Sequence, residues 1–156
     1  MSGWGCSIDS LKDSARCAEL EEFFAEHAID VLSTTHTCAA AARAFQHGVV
    51  INNGSAGLPE FKGELYGLVT RVAATPHPKA LYRAWIKGAC VEAVPVPYEQ
   101  QEFIEWFDSI WEEGSPAAMN YRPRAISGPD VAVADVALDG SIKLWLCCVL
   151  FLPEKG

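Results

Sequence analysis

The chain lacks both a long apolar run and a cluster of basic residues. Its most apolar stretch, residues 144–152, is shorter than the roughly 20 residues that a membrane-spanning helix needs. Lysine and arginine together number 12 against 20 aspartates and glutamates, so the net charge is −8. Because nucleic acids and anionic membranes are bound through clustered basic side chains, the composition predicts neither as a partner.

The cysteines also lack a pattern that would assign them a role. Six are present, none in a C-x-x-C zinc spacing, and the adjacent pair Cys147 and Cys148 is poorly placed to form a disulfide with itself. The N-terminus shows no secretory signal pattern. These absences predict reduced thiols and a cytoplasmic location.

What the chain does contain is enough apolar material for a folded core. Half of its 156 residues are hydrophobic and 21% are charged, which is typical of one globular domain rather than of a disordered chain. The apolar spacing predicts helices over residues 15–27 and 99–112, and the alanine-rich residues 39–46 predict another. Strands are predicted near Ile29, Val49, Leu65, Ala80 and Ala89. The predicted fold class is therefore α/β, with one mixed sheet and flanking helices.

Four segments are predicted along the chain. They are an irregular lead-in over residues 1–13, an α/β half-domain over 14–114, a Pro-rich linker over 115–130 and a C-terminal β-hairpin over 131–156. The hairpin is predicted because Asp139-Gly140, which suits a type I′ turn, separates two apolar runs. Its second run is almost continuously apolar, so it is expected to be buried on both faces or covered by a partner.

Residues 30–59 hold most of the residues that are capable of chemistry. A first apolar run leads into a polar loop with His36 and Cys38, and a second run leads into N-N-G-S-A-G from position 52. Because the ends of neighbouring strands in an α/β sheet converge on one crevice, the two loops are predicted to form a site together.

The side chains in these loops allow more than one interpretation. His36 and Cys38 are two residues apart, so in an extended loop both point the same way and suit a borderline or soft metal. The alternative is a capped turn with a buried thiol. The backbone amides of Asn52, Asn53 and Gly54 are able to approach a phosphate closely, or else close a tight structural turn.

Two further hypotheses concern single residues. Arg71, near the end of the third predicted strand, is the arginine best placed to bind an anionic substrate, and its alternative role is a surface salt bridge. Cys38 with His36 as its partner is a candidate for thiol catalysis, although a separation of two residues seldom aligns an imidazole with a neighbouring thiol.

The two loops resemble two motifs of the calcineurin-like metallophosphoesterases. In that family one strand ends in G-H-x-H and a later strand ends in N-x-G-S-x-G-x-P. The second motif is matched by Asn52, Gly54, Ser55, Gly57 and Pro59. The first aligns with T-H-T-C at residues 35–38, where threonine and cysteine replace the glycine and the second histidine. Y-G-L-V at residues 66–69 resembles the strand that follows.

The resemblance spans roughly residues 15–100 and implies the C-terminal half of a metallophosphoesterase α/β sandwich. It implies that His36 and Cys38 bind a divalent transition metal, Zn, Mn or Fe, which generates a hydroxide that attacks a phosphoester. It implies in addition that the substrate is contacted by Asn52, Asn53, Gly54 and Arg71.

The family's N-terminal metal motifs, D-x-H, G-D and G-N-H, do not occur in the sequence. The resemblance therefore implies a truncated or partial phosphoesterase that is incomplete as an enzyme. The alternative is a non-catalytic α/β interaction or assembly module. Half of a sandwich exposes the surface that its other half would cover, so either interpretation predicts a homo-oligomer.

Overall fold

The computed structural model describes residues 6–35, 37–55, 57–139 and 141–144, and these form a mixed α/β fold with two sheets. In chain order the elements are α1 (Ile8–Lys12), α2 (Ser14–His27), β1 (Val31–Thr34), β2 (Ala40–Ala44), β3 (Val49–Asn53), β4 (Tyr66–Ala73), β5 (Tyr82–Ile86), β6 (Ala89–Pro97), α3 (Gln100–Ile110), α4 (Pro116–Ser127), α5 (Val133–Val136) and β7 (Lys143–Leu144). The predicted α/β class is confirmed. Among the described helices, none is long and apolar enough to cross a membrane.

The first sheet has the strand order β1-β3-β2, with β1 parallel and β2 antiparallel to β3. One of its faces is covered by the two N-terminal helices, because Leu20 and Phe24 of α2 pack with Ala41 and Val50 of the sheet. Gly48 permits this close approach, since a Cβ atom there would lie 2.3 Å from the Phe24 ring. The opposite face of the same strands is also buried.

The second sheet covers that opposite face. Its strand order is β4-β6-β5-β7 and every pairing within it is antiparallel. Val49 and Ile51 of the first sheet share one apolar core with Leu68, Tyr82 and Val91 of the second. The molecule is thus layered as helices, first sheet and second sheet, with the main core between the two sheets.

Helices α3 and α4 form a pair that follows the second sheet in the chain and packs together. Helix α4 begins after Ser115, whose hydroxyl accepts a hydrogen bond from the Ala118 amide at 3.2 Å, and Pro116 occupies its first turn. Its C-cap is Gly128, where φ is +68° and a Cβ atom would lie 2.1 Å from the Phe61 carbonyl oxygen. The end of α4 is therefore held against the loop that contains Phe61.

Several predicted elements are confirmed and several are wrong. The helices predicted over residues 15–27 and 99–112 correspond to α2 and α3. The prediction of a single mixed sheet is wrong, because β3 hydrogen-bonds to β1 and β2 while β4 pairs with β6 in a separate sheet. The prediction of a helix over residues 39–46 is also wrong. Its alanines form β2, since they alternate between the two buried faces of the first sheet.

The predictions beyond residue 114 are corrected as well. The Pro-rich linker over residues 115–130 contains helix α4, which begins at the Ser115 cap and includes Pro123. The first arm of the predicted hairpin contains helix α5, and Ala137 bridges to Ala42. Residues 143–144 pair with β5, whose edge is available, rather than with the first arm. Gly140 and residues 145–156 lie outside the described residues.

Candidate functional site

The loops predicted to form a site do lie side by side. Strands β1 and β3 are parallel and pair from Val31 with Val49 to Thr34 with Asn52. The loops that follow the two strands therefore begin at the same end of the sheet. The two loops are joined there, because the Thr35 hydroxyl donates a hydrogen bond to the Gly54 carbonyl oxygen at 2.5 Å.

Asn52 at the end of β3 is fully buried, and its amide is used within the protein. Its Nδ2 donates to the Cys6 carbonyl oxygen at 2.9 Å and to the Thr37 hydroxyl at 2.6 Å, while its Oδ1 accepts from the Gly54 amide at 2.8 Å. The neighbouring Asn53 donates to the Leu68 carbonyl oxygen at 3.2 Å and so ties β3 to β4. Both asparagines therefore hold the fold together at this edge.

The central group of the site is Glu60, whose side chain has no exposed surface. Its carboxylate accepts from the Ser55 amide at 2.6 Å, from the Ala40 amide at 3.1 Å and from Arg124 Nη2 at 2.8 Å. Gly54 is required beside it, since its φ is +70° and a Cβ atom there would lie 2.2 Å from a carboxylate oxygen. The carboxylate thus joins β2 and the loop after β3 to α4.

Arg124 reaches this carboxylate from α4 and contacts both loops. Besides Glu60, its guanidinium donates to the Pro59 carbonyl oxygen at 3.2 Å and to the Cys38 carbonyl oxygen. Burial raises the pKa of the Glu60 carboxyl, whereas the Ser55 amide and Arg124 lower it. Burial, with the charge of Glu60 nearby, also raises the pKa of the Tyr82 phenol, so this ring stays neutral.

The predicted metal ligands are only partly described. Cys38 is exposed, has a left-handed backbone with φ of +53°, and presents its carbonyl group to Arg124. His36 lies outside the described residues. Among the residues that the structure describes, no group of three or more histidine, cysteine, aspartate or glutamate side chains is arranged to hold a metal ion.

Arg71 lies in a different cluster, on the outer face of the second sheet. It donates to Glu92 at 2.5 Å and to the Thr75 carbonyl oxygen at 2.8 Å. Glu92 is fully buried and also accepts from Arg83 Nε at 2.9 Å and from the His77 amide at 2.9 Å. The structure therefore places Arg71 in an ion cluster that pins the loop over residues 74–79 to the sheet, away from the other predicted site residues.

A further surface of functional interest lies on the paired helices. Several large apolar side chains there are exposed, Tyr121 of α4 among them. Four that are 45–64% exposed are together called the α3–α4 surface: Trp106, Ile110, Trp111 and Met119. Trp106 and Ile110 are one helical turn apart on α3, and Trp111 follows directly. An open cleft of about 640 Å³ lies between the helices, lined in part by Trp111, Ala118 and Met119.

Charged groups surround this cleft. Arg122 of α4 donates two hydrogen bonds to the Asp108 carboxylate of α3, at 2.7 and 2.8 Å, and these bonds lower the pKa of that carboxyl. Glu113 lines the cleft beside them, and Glu112 is exposed next to it. The surface thus combines exposed aromatic and aliphatic side chains with an acidic border.

Sequence reasoning missed Glu60 at the centre of the first site. Glu60 had a recognisable signal, since it is a lone charge in the apolar run L-P-E-F. Arg124 was open to two interpretations, a residue facing the site or a solvated one. No local pattern pointed to its pairing with Glu60, because it lies in a segment predicted as a linker, 64 residues further along the chain. The α3–α4 surface was visible only as the apolar stripe of α3.

Comparison with family models, with curated proteins and with solved structures finds no match to this chain. The class that the structure defines is a two-sheet, mixed α/β protein.

Proposed function

We propose that this chain is a non-catalytic interaction module that binds another protein through the α3–α4 surface. The observation that carries the proposal is the exposure of four large apolar side chains on two helices that pack chiefly against each other. Tryptophan is among the residues that contribute most to binding at protein interfaces, and exposed apolar side chains of this size are common there. A cytoplasmic location is part of this proposal.

The groups at the strand ends support a structural role there rather than catalysis. Glu60, Asn52 and Arg124 bind other parts of the same chain through the hydrogen bonds described above. A catalytic carboxylate has to reach substrate, whereas the Glu60 side chain is fully buried beneath the loops that it joins.

The proposal is tested by capturing a partner on the immobilised chain from a lysate of the organism of origin, then titrating the purified partner. Trp111→Ala is expected to raise the dissociation constant at least about tenfold, because truncating a tryptophan that anchors an interface has an effect of this size. The matched control is Trp85→Ala on β5, where the side chain is 52% exposed, and it should leave binding unchanged. Capture that is insensitive to Trp111→Ala would refute the proposal.

A second proposal is that the chain is a partial calcineurin-like metallophosphoesterase. It is supported by the motif resemblance and by the parallel ends of β1 and β3, which bring the two matching loops together. Under it, His36 and Cys38 bind Zn, Mn or Fe, together with ligands from outside the described residues, and Asn52, Asn53 and Gly54 border a phosphoester. The fold would then correspond to the C-terminal half of the family's sandwich.

Elemental analysis of untagged protein tests this second proposal. Near-stoichiometric metal that is lost in His36→Ala, with chelator-sensitive hydrolysis of p-nitrophenyl phosphate, would support it. Absence of metal from both proteins would leave the interaction module as the better account. Hydrolysis abolished by Cys38→Ser or by alkylation, and independent of metal, would instead indicate thiol catalysis. Sedimentation velocity of the same preparations tests the proposed homo-oligomer.

A further inference from the structure

The charges around the α3–α4 surface select the kind of partner that fits it. Residues 99–122 contain six acidic side chains and one basic side chain, Arg122. That arginine is already paired with Asp108 across the two helices. Exposed carboxylates at Glu102, Glu105, Glu112 and Glu113 are therefore left to define the field at this surface.

This charge argues against a second copy of the chain as the occupant. A two-fold contact would set the same acidic border against itself, and like charges facing each other across an interface are unfavourable. A partner with lysine and arginine around an apolar centre would instead be attracted by this border and bound by the apolar side chains.

The cleft between the helices adds a requirement of shape. It is lined by apolar side chains and by charged ones, of which Arg122 is paired with Asp108: Trp111, Ala118, Met119, Asp108, Glu113 and Arg122. A bulky aliphatic or aromatic side chain matches the apolar wall, and a basic residue beside it would reach Glu113. Methionine adapts readily to differently shaped apolar groups, so Met119 suits such an anchor.

We infer that the α3–α4 surface binds a cationic protein segment that inserts one large apolar side chain into this cleft. The inference rests on the proposed interaction module and specifies its partner. The apolar side chains hold the segment. The four exposed glutamates attract it, and they disfavour acidic proteins and a second copy of the chain at this surface.

The test uses three fluorescent amphipathic peptides of one length, about 18 residues, with the same leucine and tryptophan positions and with lysine, glutamine or glutamate elsewhere. We expect fluorescence anisotropy to show at least about tenfold tighter binding of the lysine peptide than of the glutamate peptide. This preference should shrink as sodium chloride is raised, because salt screens exposed charges.

Matched variants assign the binding to this surface. Glu112→Gln with Glu113→Gln is expected to weaken binding of the lysine peptide about fivefold or more and to reduce its salt dependence. Glu22→Gln with Glu26→Gln removes the same charge from exposed positions of α2 and should leave binding unchanged. Equal binding of the three peptides, no binding of any, or equal effects of the two double variants would overturn the inference.

Two outcomes separate this inference from the proposed function. Capture of a partner that depends on Trp111, together with a failed peptide test, would refute the cationic partner and retain the module. A dimer in sedimentation velocity that is dissociated by Trp111→Ala would show that a second copy occupies the surface, and would overturn the inference.

Discussion

A carboxylate as deeply buried as that of Glu60 is stable only when donors replace the water that it has lost. Two backbone amides and Arg124 do so here, and the three come from β2, from the loop after β3 and from α4. One side chain therefore fixes the relative positions of three segments. The loss of one member of such a buried ion pair leaves an uncompensated charge in the interior.

Arg124→Ala is predicted to lower the free energy of unfolding by about 3 kcal/mol, because Glu60 would keep its burial but lose its charged partner. Urea denaturation measures the change. Arg122→Ala on the same helix is the control, since its ion pair with Asp108 is exposed and screened by solvent. Similar losses of stability in the two variants would show that the buried Glu60–Arg124 pair matters no more to stability than the exposed Asp108–Arg122 pair.

Gly54→Ala is predicted to destabilise the protein more than Gly63→Ala. Both glycines have positive φ, +70° and +73°, which costs an alanine about 1–2 kcal/mol. Only Gly54 would also drive its Cβ atom into the Glu60 carboxylate, whereas the space around Gly63 is open. We expect a total loss of at least about 3 kcal/mol for Gly54→Ala. Equal losses would mean that the backbone conformation alone requires glycine.

At the scale of elements, α4 connects the two regions of interest. Its inner side carries Arg124 to the strand ends, and its outer side carries Met119 to the exposed cleft. The helix depends on local signals at its ends, the Ser115 cap and Gly128, because its sequence contains Pro123. Loss of either end is therefore expected to disturb both regions together.

Ser115→Ala is predicted to cost about 1 kcal/mol of stability, because the Ala118 amide would lose its capping acceptor. Ser109→Ala near the end of α3 is the control. Its hydroxyl donates back to the Trp106 carbonyl oxygen, and alanine is the better helix former there, so little change is expected. Thermal unfolding of the two variants provides the comparison, and a neutral Ser115→Ala would refute the capping role.

At the scale of the whole molecule, the layered arrangement makes the two sheets depend on each other. Both sheets contribute side chains to one core, so neither is complete without the other. Buried residues on both faces of the first sheet extend this dependence to α2. The described part of the chain is therefore expected to behave as one cooperative unit.

Urea unfolding followed by far-ultraviolet circular dichroism and by tryptophan fluorescence should accordingly give coincident transitions. Leu68→Ala, in the shared core, is predicted to lower the free energy of unfolding by about 2–5 kcal/mol. Both curves should therefore move to lower urea concentration. Val69→Ala, the exposed neighbour on the same strand, should shift neither appreciably. Two separated transitions would show that the sheets unfold independently.

The sequence by itself determined the elements whose local pattern is strong. The periodic stripes of α2 and α3 predicted their helices, and the order of β1 and β3 predicted that the loops around Cys38 and Asn52 would meet. Such patterns depend on residues close together in the chain, and they survive in any tertiary arrangement that buries the apolar face.

Only the tertiary structure decided the rest. Ala40–Ala44 became a strand because both of its faces are buried between layers, which overrides the helical preference of alanine. The pairing of Glu60 with Arg124, and of Arg71 with Glu92, joins residues far apart in sequence. Local propensity carries no information about such partners, because long-range contacts form only when the layers pack.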